Sequence, residues 1–393
     1  MREGINVYEW IVIGGGIQGC TIATFLLRNK KVLPGNLCII DPHEKPLANW
    51  TRNTGLIGMK FLRSPFVHHL DADPFSLISF TKKKNLKDNE FYGQYKRPSL
   101  KIFNEHSHDL FQETALEQSW HQGYVNGIEK EKDHWRVHTL DGKSLAGRNI
   151  VLAVSVNDQL FIPEWADTLH EESNQVFHIF DKTACIQKLR PPIAVVGGGI
   201  TSAHLVIRLA AMYPGGVTLI KRHPFRVFDF DSDPGWLGPK KQTAYRQISD
   251  YEKRRDVIIG ARNRGSLTTE LFQKLKKLEN EQKIKVVDGE VTSANKRDGE
   301  EISLILEQQE VNVKSIVFAT GFKPGRPGGG WLDKAIEKLD LPCARCGYPI
   351  VSPTLEWCPH LYVMGYLAEL EIGPIARNIS GARQAAERIV HNI

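Results

Sequence analysis

The chain has 393 residues, 41% hydrophobic and 24% charged, with a formal charge of +6, enough for about two or three domains that each bury a core of their own. Its lysines and arginines are scattered among the acids, which suits anionic cofactors at least as well as nucleic acid, and the cluster "TKKKNLKDNE" from Thr81 reads as a solvated loop or helix end. No apolar run approaches the ~20 residues that span a bilayer, and the apolar start "WIVIGGGIQGC" is broken by glycines, unlike a signal peptide. The six cysteines are too dispersed for a secreted disulfide framework, so a reducing cytoplasm is the expected compartment.

The first predicted unit is a buried strand over Glu9–Ile13, a turn "GGGIQG" (Gly14, Gly15, Gly16, Ile17, Gln18, Gly19) and an amphipathic helix "CTIATFLLR". Gly14 permits the tight turn, Gly16 lets backbone approach a diphosphate, and Gly19 lets the helix lie close to the sheet. The diphosphate then sits at the positive end of the helix. The next strand, "NLCIID", ends at Asp41, about 22 residues after Gly19, where an acid bonds a ribose hydroxyl. These residues, with Val125, are assigned to FAD.

Further along, "NIVLAVS" from Asn149 reads as another strand of the same domain, and Pro191-Pro192 as a connection out of it. A second unit follows. Ile193–Val196 is an apolar run, "GGGITS" a turn with Gly197, Gly199, Ile200, Thr201 and Ser202, and "SAHLVIRLAAMY" a helix that stops before Pro214. Ser202 takes the third small position. The following strand ends in Lys221 and Arg222 with no acid, and two cations there suit a 2′-phosphate. NADPH is therefore assigned to the second loop.

The long stretch from Phe228 to Ser266, rich in aromatic residues, Asp and Arg, reads either as a lid over the cofactor crevice or as a helical hairpin that contacts another subunit. "VNVKSIVFATGFKPG" reads as the strand that returns the chain to the first domain, and the C-terminal "ISGARQAAERIV" as a last amphipathic helix. The expected fold is thus α/β with two Rossmann-like units: an FAD domain over 1–188 and 314–393, and an inserted NADPH domain over 189–313, in a glutathione-reductase-like architecture. Two dinucleotides in one chain point to an oxidoreductase that takes hydride from a nicotinamide and passes electrons onward.

What receives the electrons is less direct. The only CxxC, Cys343 to Cys346, lies far from both loops, where a disulfide reductase would not keep its redox pair. With Cys358 and His360 it offers four zinc-type ligands at an unusual spacing; ordinary thiols are the other reading, and no metal is assigned.

The stretch "NWTRNTGLIGMKFLRSPFVHHLDADPFSLISFTKK" resembles the flavin-dependent N-hydroxylating monooxygenases, the ornithine and lysine N-hydroxylases. The resemblance implies that Trp50, Gly55 and Met59 face the flavin, that Lys60 stands where the family has Gln, and that Arg63 stands near its carboxylate-binding Lys. It also implies that Thr320 and Gly321 belong to an ATG element, and that Gly365, Pro374 and Ile375 lie where the last helix meets the flavin pyrimidine edge. Met364-Gly365-Tyr366 replaces the family's His-Gly-Leu. The implied reaction is NADPH-dependent oxygen insertion, through a flavin C4a-hydroperoxide, into a nitrogen or sulfur of a small polar metabolite. From the residues themselves, His68 and His69 are candidate proton shuttles or packing residues, and Arg63 is a substrate clamp or a structural pairing residue. Two other functions stand beside this one: an NADPH-dependent flavoprotein that reduces another acceptor, and a nucleotide-responsive protein without turnover. Small-molecule substrates, no nucleic acid, no membrane and a homo-oligomer complete the expectation.

Overall fold

The computed structural model describes residues 7–86, 88–297 and 300–393. Strand β1 (Val7–Ile13) ends in four buried residues and runs through a glycine turn into helix α1 (Ile17–Arg28). Strand β2 (Leu37–Asp41) and strand β3 (Ser144–Leu152) flank β1, both parallel to it. Leu361–Val363 and Trp120–Gln122 extend this sheet on either side, again parallel, and an antiparallel hairpin over Val125–Thr139 leans on β3. Near-continuous runs such as "WIVI" and "LCII" fit strands covered on both faces.

The second sheet contains strand β4 (Val176–His178), strand β5 (Ile193–Val196), strand β6 (Val217–Lys221), strand β7 (Lys285–Asp288) and strand β8 (Ser315–Phe318), all parallel, in the order β7-β6-β5-β8-β4. Helix α2 (Ile200–Met212) leaves β5 as α1 leaves β1. A three-stranded antiparallel sheet over Val291–Val313 packs Leu304 and Leu306 against Ile316 and Phe318 of β8.

The strand expected to return the chain to the first domain is corrected by this order. β8 pairs residue for residue with β5, from Ile193 beside Ser315 to Val196 beside Phe318. Likewise β4, which falls within the expected 1–188 segment, closes the edge of the second sheet. The return comes later, through Leu361–Val363 beside β3. The physical reason is that a short apolar strand fits either sheet equally well, and only the crossover geometry decides which one takes it.

Residues 48–63 join the two sheets. The helix Ala48–Ile57 ends at Gly58, whose φ of 68° is the left-handed conformation that glycine tolerates. Arg208 of α2 donates to the Gly55 and Leu56 carbonyls, and Arg52 donates to those of Phe180 and Asp181. Met59 packs against both hydrophobic cores. The final helix, α3 (Ile379–Val390), lies against α1.

Candidate active site

In the first loop Gly14 has φ of 107°, and a Cβ there would stand 2.6 Å from the Ala153 carbonyl oxygen. Only glycine fits. At Gly19 a Cβ would meet the Gly14 oxygen at 1.7 Å, so helix and turn close tightly. Gly16, by contrast, has no atom within 4 Å of its Cβ position, and α1 begins there with no side-chain cap. An uncapped helix start beside open space is the seat a diphosphate needs. Asp41 Oδ2 accepts from the Gly15 N–H at 2.6 Å, while Oδ1 accepts from the His43 backbone and ring. The acid therefore shapes the loop as well as facing it, with lone pairs left for a ribose hydroxyl. Val125 is buried at the start of the hairpin.

The second loop repeats the first in its covalent logic. Gly197 has φ of 143°, and its Cβ position lies 2.5 Å from the Ala319 oxygen. Ala319 thus serves the second unit as Ala153 serves the first. Thr320 and Gly321 tie β8 to the segment after β3: the Thr320 hydroxyl donates to the Phe161 oxygen, and the Phe161 N–H donates to the Gly321 oxygen at 3.0 Å, while the space at the Gly321 Cβ position is open. Ser202 donates to the Gly199 oxygen at 2.7 Å, and Ile200 and Thr201 form the first turn of α2.

The cations beyond this loop are not equivalent. Lys221 is buried, paired with Asp288 and lying 4.6 Å from the centre of the Phe225 ring. It is not the free phosphate-binding cation expected of it. Arg222 is exposed and only loosely paired, 3.5 Å from Glu290. The end of the strand marks the split: Lys221 is the last residue of β6, all of whose residues are buried, whereas Arg222 lies just beyond it and faces solvent.

Arg63 is also committed to its own chain. Its guanidinium donates to the carbonyls of Phe228 at 2.6 Å, Asp229 at 3.1 Å and Phe230 at 2.7 Å, and to Ser266 Oγ at 3.0 Å. Burial pushes its pKa down, with Asp231 and Asp229 opposing. The expected substrate clamp is therefore a fastener of the Phe228–Asp231 loop. Lys60 is exposed and lines, with Phe61, Arg97, His204 and Glu270, a cleft between residues 58–63 and α2. Within it Arg97 and Glu270 form a buried ion pair at 2.8 Å. Trp50 is half-buried, its indole N–H on Asn104 at 3.0 Å.

Their surroundings hold His68 and His69 neutral near pH 7, which favours the packing reading over the proton shuttle. His69 is fully buried; its Nδ1 accepts from the Asp71 N–H at 3.2 Å, which leaves the proton on Nε2 facing the Pro74 oxygen at 3.2 Å. Burial, then the His106 and Arg383 charges, lowers its pKa to about 3; burial and Arg383 lower that of His68 to about 4. Arg383 on α3 grips the carbonyls of His69, Asp71 and Ala72. Asp71 lies 3.6 Å from Arg28 at the C-terminal end of α1, the opposite end from the glycine loop.

The C-terminal segment closes over the first loop. Gln18 Nε2 donates to the Ala376 oxygen at 3.1 Å and the Asn378 oxygen at 3.4 Å, and its side chain passes 3.0 Å from the Cβ position of Gly365, where φ is 60°. Pro374 and Ile375 are buried beneath. Sequence reasoning missed Glu369, a fully buried carboxylate held by Arg255 at 2.7 Å and Arg377 at 2.6 Å. Arg377 also stacks 3.9 Å from the Tyr366 ring. The available signal was two glutamates inside the otherwise apolar "YLAELEIG". The stretch read as lid or hairpin contains two helices, Pro239–Arg246 and Tyr251–Ala261, and docks on this segment: Gln242 donates to Ile372 at 2.9 Å and Tyr245 to Leu370 at 2.9 Å. All six cysteines are free, and among the described residues no three His, Cys, Asp or Glu side chains converge as a metal site. His360 instead bonds Asn149 at 2.9 Å.

A family model described as pyridine nucleotide-disulphide oxidoreductase matches residues 8–387, a span that includes both glycine loops. The chain belongs to that family. Among solved structures, this oxidoreductase resembles the FAD-bound cadaverine monooxygenase of desferrioxamine biosynthesis from Erwinia amylovora, with TM-score 0.77 and 16% identity over 98% of this chain and 94% of that one. It resembles ornithine hydroxylase from Pseudomonas aeruginosa, with TM-score 0.76 and 17% identity over 98% of both chains. It also resembles the bacillithiol disulfide reductase from Staphylococcus aureus, with TM-score 0.62 and 15% identity over 99% of this chain and 98% of that one. A comparison with curated protein sequences finds no match. At these identities the likeness is one of fold, shared by oxygen-inserting and disulfide-reducing enzymes. No helix is long and apolar enough to cross a membrane among the described residues.

Proposed function

We propose that the chain is an FAD- and NADPH-dependent monooxygenase that hydroxylates a nitrogen, or alternatively a sulfur, of a small polar amine or thiol metabolite in a reducing cytoplasm. The observation that carries the redox reading is the matched pair of loops, Gly14 against Ala153 and Gly197 against Ala319, followed by Asp41 in one case and the exposed Arg222 in the other. FAD fits the first loop, because the space in front of Gly16 is open and the start of α1 is uncapped. The amine and oxygen parts rest on the resemblance over residues 49–83 and on the full-length likeness to the cadaverine and ornithine enzymes.

When bound, FAD supplies the acceptor for hydride from NADPH and the means to activate oxygen. The protein's part is to bind, orient and exclude water. Gln18 locks the Ala376–Asn378 backbone against the first loop, and the Arg255–Glu369–Arg377 group fixes the segment whose helix end would face the flavin. Met59 and Trp50, packed into the cores, would provide a dry wall. FAD-binding and NADPH-binding domains are proposed to follow the two sheets, so that the second runs from before Val176 to beyond Phe318.

The test is direct. Purified protein reconstituted with FAD should oxidise NADPH faster when a suitable amine is added, with a hydroxylamine formed in proportion. A chain that takes up no FAD would sink the reading. NADPH oxidation that reduces a disulfide or another acceptor, with no oxygenated product from any amine or thiol tried, would establish the reductase instead.

A further inference from the structure

The two glycine loops differ at the position that matters most for a diphosphate. In front of Gly16 the space is open, but the Cβ position of Gly199 lies 3.3 Å from the Gly265 Cα, so the chain itself crosses in front of the second loop. Gly265 has φ of 66° and takes that crossing as a left-handed turn, with His223 Nε2 3.6 Å from its own Cβ position. A diphosphate entering here meets the turn Asn263–Ser266 before it meets the backbone of Gly199.

That turn is held firmly. Asn263 donates through its backbone to the Asp231 oxygen at 2.7 Å and through Nδ2 to the Phe230 oxygen at 2.9 Å. Arg262 pairs with Asp231 at 2.8 Å, and Arg226 donates to the Arg264 carbonyl at 3.3 Å. The Arg264 side chain is different. It is exposed, and among the described residues it has no hydrogen bond or ion pair. Its neighbours do not neutralise it: Arg262 is matched by Asp231, while Arg255 and Arg377 share the single carboxylate of Glu369. Arg264 immediately precedes Gly265, whose Cα lies 3.3 Å from the Cβ position of Gly199, and so stands at the second glycine loop; burial, then the Arg377 and Arg262 charges, lowers its pKa. A nicotinamide dinucleotide seated against Gly199 would therefore lie beside the turn that carries Arg264.

We propose that Arg264 is the diphosphate clamp of the second dinucleotide site, a side-chain cation standing in for the open backbone seat that Gly16 provides in the first. The inference rests on the NADPH-dependent reading above. A planar guanidinium donates two parallel hydrogen bonds to phosphate oxygens, and one preset on a rigid turn loses little freedom in doing so.

The test separates a diphosphate contact from a 2′-phosphate contact, using NADP+ and NAD+ as probes titrated calorimetrically into the FAD-loaded full chain, with steady-state KM values for the amine measured alongside. Arg264→Gln should weaken NADP+ and NAD+ by a similar factor, about tenfold to a hundredfold, because both carry the diphosphate. Arg264→Lys should recover part of that loss. Arg222→Gln should weaken NADP+ alone. Far-UV circular dichroism of the exposed-site variants should match the parent. Arg264→Gln leaving both affinities unchanged overturns the proposal; so does a loss confined to NADP+, which marks a 2′-phosphate contact, or an effect confined to the KM of the amine substrate. If the unsubstituted chain binds neither nucleotide, the NADPH-dependent reading itself fails, a pattern distinct from any variant result.

Discussion

Lys221 and Arg222 are adjacent cations at the end of one strand, yet one is spent inside the protein and the other faces solvent. Arg222→Gln should therefore lower the preference for NADPH over NADH, whereas Lys221→Met should leave that ratio as it is; steady-state KM values for the two nucleotides decide. An equal fall in the ratio for both variants would show that Lys221 leaves its Asp288 pairing to reach the phosphate. Arg63 carries the same lesson. Its residue type suited a substrate carboxylate, but four acceptors of its own chain lie within reach. Nothing local in a sequence tells whether a long cationic side chain will meet a ligand or a backbone carbonyl. That depends on which distant loop packs beside it, here Phe228–Asp231, some 165 residues away along the chain.

Among elements, the strand, glycine turn and helix of each unit were readable in advance because their parts are contiguous: an apolar run, glycines at fixed offsets, then helical periodicity. The two kinds of glycine within them are separable by experiment. Gly14→Ala places a Cβ 2.6 Å from a backbone oxygen at φ of 107°, and the conformation alone costs on the order of 1–3 kcal/mol. Gly16→Ala meets nothing and as an N-cap change costs at most about 1 kcal/mol. Urea unfolding of the FAD-free protein should thus show a large loss for the first and a small one for the second, while FAD affinity falls sharply in Gly16→Ala. An unaltered FAD affinity in Gly16→Ala would mean that the flavin diphosphate lies elsewhere. Strand β8 was legible as a strand but not as a member of the second sheet. Its pairing with β5 is set by the crossover of the three-stranded layer before it, which involves residues the strand's own sequence does not specify.

For the whole molecule, the consequence of folding that can be measured most simply is acid sensitivity. Burial lowers the pKa of His68, His106, His178 and His204 to about 4 and that of His69 to about 3. Unfolded, these rings titrate near 6.5, so below that pH the unfolded chain binds more protons than the native one, and stability falls with falling pH. Each buried ring removes up to about 1.4 kcal/mol per pH unit in that window. Unfolding free energy from urea titrations should be level above pH 7 and decline steadily from pH 6.5 towards 5, before most carboxylates protonate. A flat profile over that range would refute the neutral, buried assignment of these histidines. The sequence by itself determined the α/β class, the two dinucleotide units and the different charges that follow them, because each signal lies within a few tens of residues. Only the tertiary structure decided which sheet takes β4 and β8, that Lys221, Arg63 and His69 are used internally, and that the turn following Arg264 crosses the second loop at Gly199. Those outcomes depend on contacts between segments far apart in the chain, and short-range pattern carries no information about them.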